Sequence, residues 1–434
     1  MTAVAAALRR ALAWAVPATP QERAAALWSF AYFFTLLAGY YVLRPLRDQM
    51  GIAGGVKALP WMFIATFASL IVMQLFYGAL VKKFPRRWFI AIVYQFFVAN
   101  LVVFWLLLTL DVSTVIVARA FFVWVSTFNF FAVAVFWSLM ADIFTSEQGK
   151  RLFGFIGAGG TAGGLLGPLI TIAFSTRIGP INLLLIAIVF LELVVFCVFR
   201  LERCVSVGPR QQRDSRIGGS VFSGFAALVR SRYLLGVAVW VSLLSFGGTI
   251  LYLEQANIVA VTVHGAAAQT RLFASIDLAV GLLALATQVI ATGQLLKRFG
   301  TGVTAGALPA VYIAGFTVLA VAPSLAVVFV FQVAQRWMNF AIANPARQVF
   351  FTVVGRDDKY KAKNMIDVVV LRGSDALYAP LFDTLQTLGL KIGGIALCAL
   401  PVAIGWLALS MRLGRSQERR AIEIAAAAAQ TDLS

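Results

Sequence analysis

Residues 181–200 read INLLLIAIVFLELVVFCVFR and carry one acidic residue, Glu192, whereas residues 201–220 read LERCVSVGPRQQRDSRIGGS and are rich in arginine. An apolar run of about 20 residues is long enough to cross a bilayer as an α-helix. Similar runs recur along the chain, and residues 201–232 form its only long polar interruption. Because 61% of the 434 residues are hydrophobic and 12% are charged, the sequence predicts an all-α polytopic membrane protein.

Twelve transmembrane helices are predicted, six on each side of the polar interruption. Numbered as spans 1 to 12, they cover 27–47, 60–81, 88–110, 113–141, 152–176, 180–200, 234–256, 271–295, 301–322, 324–350, 366–389 and 391–412. The predicted regions are an N-terminal tail, a six-helix half, a central loop, a second six-helix half and a C-terminal tail: 1–26, 27–200, 201–233, 234–412 and 413–434. This plan resembles the major facilitator superfamily, in which substrate binds near the bilayer midplane between two halves.

The net charge of +18 is concentrated on one side of this predicted topology. The opposite side has little positive charge beyond Lys57, Arg177, Arg271 and Lys391. The positive-inside rule therefore places both termini in the cytoplasm, and a bacterial inner membrane is the expected location. Topology accounts for the basic composition, so we expect the lipid bilayer and a small solute as partners, and no nucleic acid. A monomer is expected.

A glycine-rich segment, GFIGAGGTAGGLLGP, occupies residues 154–168. Its glycines repeat at four-residue spacing, as in Gly159, Gly163 and Gly167. No Lys-Ser or Lys-Thr follows, and no strand is predicted before it, so a phosphate-binding loop is not indicated. Small residues at this spacing predict close packing of span 5 against another helix.

Arginines lie in or near several predicted spans: Arg44 and Arg47 in span 1, Arg119 in span 4, and Arg336 and Arg347 in span 10. A charge at the bilayer centre costs about 2.5–3.5 kcal/mol on insertion scales, so such residues face a partner or a water-filled cavity. The guanidinium fork suits phosphate and carboxylate groups. The set therefore predicts an anionic substrate, with Asn129 of span 4 as an additional polar candidate.

The spacing of charges within spans 10 and 11 predicts which side chains share a face. Arg336 and Arg347 are eleven residues apart and share a face of an unbroken helix, although Pro345 is expected to break it. In span 11, Asp367 and Asp375 lie within about 80° of each other on a helix. Arg372 is expected to pair with Asp375, three residues later.

Spans 1 and 7 carry charges that are predicted to interact. Arg44, Arg47 and Asp48 are spaced to share one helix face, although Pro45 weakens that helix. Glu254 of span 7 is a candidate partner for Arg44 or Arg47, as a gate or as part of the substrate site.

Other side chains are candidates for stacking and for ion coupling. Acidic residues within spans mark proton pathways in transporters, and the candidates here are Asp48, Glu192, Asp277, Asp367 and Asp375. The aromatic residues that could stack on a nucleotide base are Tyr40, Tyr41 and Trp137. His264 is the only histidine, and no metal motif, cofactor fingerprint or nucleophile–base pattern is present in the sequence. We therefore expect no cofactor and no enzymatic activity.

Two neighbouring segments, NPARQ at 344–348 and KAKNMIDVV at 361–369, resemble the ATP/ADP translocase family. The members of this family are twelve-span nucleotide exchangers of intracellular bacteria and plastids. Shorter similarities lie at Leu43–Asp48, at Phe136-Trp137 with Lys150–Phe153, and at Leu253-Glu254. The resemblance implies a major-facilitator-like fold and makes Arg47, Glu254 and Lys363 candidates for nucleotide handling. The chain lacks two residues of the family pattern, an acidic residue before Phe136 and a lysine after Glu254, so it resembles a divergent member.

Three functions remain open at this stage. The first is an alternating-access carrier of an anionic, phosphorylated metabolite such as ATP or ADP, working by exchange or ion coupling. The second is a proton-coupled major facilitator carrier of another solute or drug. The third is a non-transporting membrane protein in which the arginines form structural ion pairs.

Overall fold

The computed structural model describes residues 20–83, 86–205, 225, 228–290, 292–355, 362–363 and 365–431. Its long helices correspond one to one with the predicted spans, and we number them α1 to α12. The first six are α1 (Pro20–Ala53), α2 (Leu59–Lys83), α3 (Arg86–Thr109), α4 (Thr114–Ile143), α5 (Ser146–Phe174) and α6 (Leu183–Val205). The other six are α7 (Arg232–Thr262), α8 (Ala266–Ile290), α9 (Thr292–Val321), α10 (Leu325–Phe350), α11 (Met365–Thr387) and α12 (Ile392–Thr431).

The predicted all-α, twelve-helix membrane fold is confirmed. Eleven helices in the described part of the chain are long and apolar enough to cross a membrane. The exception is α11, which carries Asp367, Arg372, Asp375 and Asp383. These charges lower its hydropathy below that of its neighbours, so α11 depends on polar partners inside the protein.

The helices form two compact units. The first unit contains the described residues of Met1–Gly55, Ala68–Arg213 and His264–Leu278. The second contains those of Val56–Phe67, Asp214–Val263 and Ala279–Ser434. The beginning of α8, including Asp277, therefore belongs to the first unit.

Glycines of α5 allow this helix to pack directly on the backbone of α1. A Cβ atom added to Gly159, Gly163 or Gly167 would lie within 3.0 Å of a backbone oxygen of α1, an approach that real Cβ atoms essentially never make. Glycine is therefore required at these positions for the observed helix separation. The predicted close packing of span 5 is confirmed.

In α10 the regular α-helix is interrupted just before Pro345, as expected: one α-helical segment ends at Met338 and the next begins at Asn344, with Pro345 in its first turn. A π-helical segment, Asn339–Ala343, joins the two, and Asn344 donates its backbone N–H to the carbonyl oxygen of Asn339. The wider turn accommodates a residue that lacks an N–H and would clash in a regular α-helix. Pro45, in contrast, lies inside an uninterrupted α1. A second π-helical segment, Met365–Val370, begins α11.

Some predicted features lie outside the described residues. They are most of the N-terminal tail, most of the central loop, positions 84 and 85 between the predicted spans 2 and 3, and positions 356–361 between the predicted spans 10 and 11.

Candidate functional site

In the first unit, Arg44 of α1 faces Asp277 of α8. One guanidinium nitrogen of Arg44 lies 3.4 Å from the carboxylate of Asp277, whose side chain is 1% exposed, whereas that of Arg44 is 17% exposed. This distance is longer than a normal N–H···O hydrogen bond. The Arg44 guanidinium also lies 5.7 Å from the ring centre of Tyr41. Arg44 therefore has a loose acidic partner contributed by another helix.

Arg47 has a much closer acidic partner on its own helix. Its Nε and Nη2 atoms donate to Oδ1 of Asp48 at 3.0 and 2.5 Å. The guanidinium also lies 5.3 Å from the ring centre of Phe122 in α4. The acidic partners of Arg44 and Arg47 in this structure are Asp277 and Asp48, and the pairing of Glu254 with either arginine stays a prediction.

Arg119 is exposed near the start of α4 and donates from Nε to the carbonyl oxygen of Gly54 at 2.7 Å. Gly54 follows the last residue of α1, where helix carbonyls lack partners within the helix. Arg119 therefore caps the C-terminal end of α1. Asn129 is half-buried in the middle of the same helix.

The aromatic candidates belong to packed clusters of the first unit. Trp137 lies edge-on to Phe33, Phe136 and Phe153, with ring centres 5.2–5.6 Å apart. Tyr40 is buried and contacts Tyr41 edge-on at 5.2 Å. The ring centre of Tyr41 lies 5.7 Å from the Arg44 guanidinium.

In the second unit, hydroxyl groups of α7 hold a carboxylate of α11. Ser245 and Thr249 both donate to Oδ1 of Asp375, Thr249 at 3.2 Å. Arg372 donates from Nη1 to Oδ2 at 2.8 Å, which confirms the expected intrahelical pair. Asp375 is thus fixed by two helices.

The same interface contains a second hydrogen-bond group that does not involve Asp375. Ser242 of α7 lies 2.8 Å from the hydroxyl of Ser374 and 2.9 Å from that of Tyr378. Ser242, Ser245 and Thr249 follow a spacing of three and four residues, which places them along one face of α7. The spacing of these serine and threonine residues within an apolar helix is a sequence signal for this interface. The sequence-based prediction did not include it.

Arg347 of α10 pairs with Asp367 of α11. The nitrogen–oxygen distance is 3.4 Å, and the side chains are 12% and 30% exposed. Like the Arg44–Asp277 pair, this contact joins two helices and is longer than a normal hydrogen bond. Lys363, two residues before α11, is half-buried.

The predicted shared face of Arg336 and Arg347 rests on an unbroken α-helix, and that premise is wrong. The π-helical segment Asn339–Ala343 lies between the two residues. A π turn holds more residues than an α turn, so the α-helical angle between positions 336 and 347 does not apply. Arg336 is half-buried on α10.

Glu254 of α7 is fully buried, with 0% exposure. Neither carboxylate oxygen has a hydrogen-bond partner among the described residues. Burial of a carboxylate without compensating hydrogen bonds is costly, and residues in such a state often have a functional role. In contrast, Glu192 is exposed on α6 and accepts a hydrogen bond from Gln95 at 2.9 Å.

Among the described residues, each unit contains at least one close arginine–carboxylate pair within a helix and at least one longer pair between helices. Arg47–Asp48 and Arg372–Asp375 are close pairs within one helix. Arg44–Asp277 and Arg347–Asp367 are longer pairs between helices. Within the described ranges, no group of three or more His, Cys, Asp and Glu residues is placed to hold a metal ion.

Comparison with solved structures shows a major-facilitator-like fold. A bacterial homologue of the human lysosomal transporter Spinster matches with a TM-score of 0.60 and 16% identity, over 92% of this chain and 99% of that one. A mutant of the nucleoside transporter NupG matches with a TM-score of 0.58 and 15% identity over the same shares. A bacterial homologue of the iron transporter ferroportin matches with a TM-score of 0.63 and 11% identity, over 92% and 98%.

These identities are low, and the similarity extends over almost the full length of each protein. No family model matches the chain, and no curated protein sequence does. The comparisons therefore support the fold without singling out a family within it.

Proposed function

We propose that this protein is an alternating-access carrier of a small anionic metabolite. The proposal rests on the polar contacts of the Arg44 and Arg347 guanidinium groups. Each lies in a membrane helix, each has an acidic contact at 3.4 Å, and the Nε atom of each has no hydrogen-bond partner within the described part of the chain. Leaving a buried N–H donor without an acceptor in a low-dielectric interior is unfavourable.

An anion that reaches either guanidinium can supply the missing acceptor oxygens. Phosphate and carboxylate match the guanidinium fork, and such charge-assisted bonds are stronger than neutral ones. Because the recorded contacts of Asp277 and Asp367 with these arginines are long, a substrate can compete with these carboxylates. The resemblance to nucleotide exchangers makes ATP and ADP the first anions to test, with transport by exchange.

The location proposed with this function is the inner membrane of a bacterium, with both termini in the cytoplasm. The distribution of lysine and arginine in the loops supports this orientation.

The first test is ligand-dependent thermal stability of the purified protein with ATP, ADP, pyrophosphate, succinate and uncharged nucleosides. Binding to the folded state raises the melting temperature by mass action. We expect stabilisation by an anion and an apparent Kd weakened about 10-fold or more in Arg44→Ala and Arg347→Ala. Arg177→Ala, an exposed arginine outside the helices, is the matched control. Stabilisation by nucleosides and not by anions would overturn the proposal.

A proton-coupled carrier of another solute is the second candidate, and the unpartnered carboxylate of Glu254 favours it. Measurements of uptake into liposomes distinguish the anion exchanger from the proton-coupled carrier. Uptake that requires a proton gradient and is unaffected by nucleotide inside the vesicles would favour the second candidate. Exchange that persists without a gradient would favour the first.

A further inference from the structure

We propose that α12 carries a binding surface for the phosphate groups of anionic lipids. The surface is formed by Arg412, Arg415 and Arg419, three exposed residues that follow the uncharged part of this helix, and we call it the arginine stripe. The proposal is independent of the identity of the transported substrate.

The length of α12 places the arginine stripe at the surface of the bilayer. Residues 392–411 contain no charged side chain and, at about 1.5 Å per residue, span about 30 Å, which is the thickness of the hydrocarbon core. The helix continues to Thr431. Along its axis Arg412 and Arg415 lie about 2 and 6 Å beyond the hydrocarbon, inside a headgroup layer about 5–8 Å deep. Arg419 lies at about 12 Å, and its long side chain can reach back to that layer.

The three arginines share one face of α12. At about 100° per residue, Arg412, Arg415 and Arg419 lie within about 60° of one another. Among the residues that the structure describes, none of their side chains forms a hydrogen bond or an ion pair. The stripe therefore presents three positive charges to the surroundings of the helix.

The opposite face of α12 packs against the protein. Leu413 is 5% exposed, and its side chain lies 3.0 Å from the position that a Cβ of Gly236 in α7 would occupy. Gln417 accepts a hydrogen bond from Thr301 of α9 at 3.1 Å. Leu413 and Gln417 lie about 150° around the helix from the centre of the stripe. The stripe therefore points away from α7 and α9.

The acidic residues in this part of α12 cannot neutralise the whole stripe. Glu418 is turned toward α9, where its Oε1 atom lies 2.8 Å from the position that a Cβ of Gly300 would occupy. Glu423 follows Arg419 by four residues and lies about 18 Å beyond the hydrocarbon, outside the headgroup layer. It can therefore offset Arg419 alone. Arginines in the headgroup layer attract anionic lipids, and the guanidinium fork matches a lipid phosphate.

The test measures how added lipid stabilises the detergent-purified, full-length protein. Mixed micelles that contain phosphatidylglycerol are titrated against thermal unfolding, in parallel with phosphatidylcholine micelles and with soluble glycerol 3-phosphate. Binding to the folded state raises the melting temperature. At low salt we expect phosphatidylglycerol to stabilise the protein more than phosphatidylcholine, because only phosphatidylglycerol carries a net negative charge. Glycerol 3-phosphate should not replace it, because the soluble ester has no acyl chains to hold it beside the stripe.

Substitutions in the stripe should weaken this response in steps. Arg412→Gln and Arg415→Gln should each raise the phosphatidylglycerol concentration for half-maximal stabilisation about 5-fold. The triple variant that also contains Arg419→Gln should raise it about 20-fold or more. The single variants decide the outcome if the triple variant does not fold.

The matched control is Arg420→Gln, which removes the same charge from the same helix. Arg420 lies about 110° from the centre of the stripe, and its guanidinium is 4.7 Å from the ring centre of Tyr233. The control should lower the melting temperature without lipid and leave the half-maximal lipid concentration unchanged. The proposal is wrong if Arg420→Gln and Arg415→Gln shift that concentration equally, if the two lipids stabilise equally, or if glycerol 3-phosphate stabilises as well as phosphatidylglycerol.

Discussion

The first and fifth helices of each set of six pack by opposite chemistry. In the first set, α1 and α5 meet through Gly159, Gly163 and Gly167, which bring the two backbones into direct contact. In the second set, α7 and α11 meet through hydroxyls and the Asp375 carboxylate. The glycine interface contributes close backbone packing, whereas hydroxyls of the polar interface also orient the Asp375 carboxylate. The α7–α11 interface therefore orients the carboxylate of the Arg372–Asp375 pair, whereas the α1–α5 interface sets the separation of two helix backbones.

Glycine-to-leucine substitution at the α1–α5 interface should have the largest effect. A Cβ at Gly163 meets the carbonyl oxygen of Phe34, which is backbone and cannot move aside. We expect Gly163→Leu to destabilise the fold by about 4 kcal/mol or more and Gly163→Ala by about 1–3 kcal/mol. Size-exclusion chromatography and thermal unfolding measure the outcome. Gly157→Ala is the control, because its Cβ would meet nothing within 4 Å.

Removal of the Asp375 carboxylate should cause the second-largest loss of stability. Asp375→Ala leaves Arg372 without its close acidic partner and two hydroxyls without their acceptor. Because the two side chains are 29% and 15% exposed, we expect a loss of about 1–3 kcal/mol, which is typical of removing one partner of a hydrogen-bonded polar group. Asp383→Ala, on the same helix, is the control for loss of a carboxylate. Equal destabilisation by the two variants would show that the α7–α11 network has no special role.

Neutralising Glu254, a buried carboxylate of α7, should change the stability in the opposite direction. Glu254 is fully buried and its oxygens lack hydrogen-bond partners in the described residues, so it contributes desolvation cost without compensation. We expect Glu254→Gln to raise stability by about 1 kcal/mol, seen as a higher melting temperature, while transport into liposomes falls. A lower melting temperature for Glu254→Gln would contradict this contrast with Asp375.

The smallest effect is expected from Ser242. Hydrogen bonds between membrane helices contribute about 0.6 kcal/mol on average. We therefore expect Ser242→Ala to lower stability by about that amount, as measured by denaturant or thermal unfolding. A loss several times larger would show that the Ser242–Ser374–Tyr378 group, and not Asp375, holds α7 and α11 together.

The helices could be predicted from sequence because each is specified by its own apolar run. Span lengths depend on bilayer thickness, and the glycine spacing of α5 is a local pattern. The pairing of Arg372 with Asp375 was also predictable, since both residues lie on one helix at a fixed spacing.

The partners of Arg44 and Arg347 could not be predicted in the same way. Asp277 lies far from Arg44 in the sequence, and the packing of α8 brings the two together. Periodicity within one helix carries no information about such pairs. The interruption near Pro345 could be predicted, but its form could not, because a π-helical segment has no simple sequence signature here.

The charged side chains of α11 also have a consequence for how the protein is made. Each Asp or Arg near the centre of a helix opposes its release from the translocon into lipid by about 2.5–3.5 kcal/mol. Since α11 alone among the long described helices lacks a sufficiently apolar window, we expect it to enter the bilayer together with helices already inserted, whose hydroxyls can solvate Asp375. Glycosylation mapping of chains truncated before and after α12 would follow this step, and substitutions at Ser245 and Thr249 should delay it.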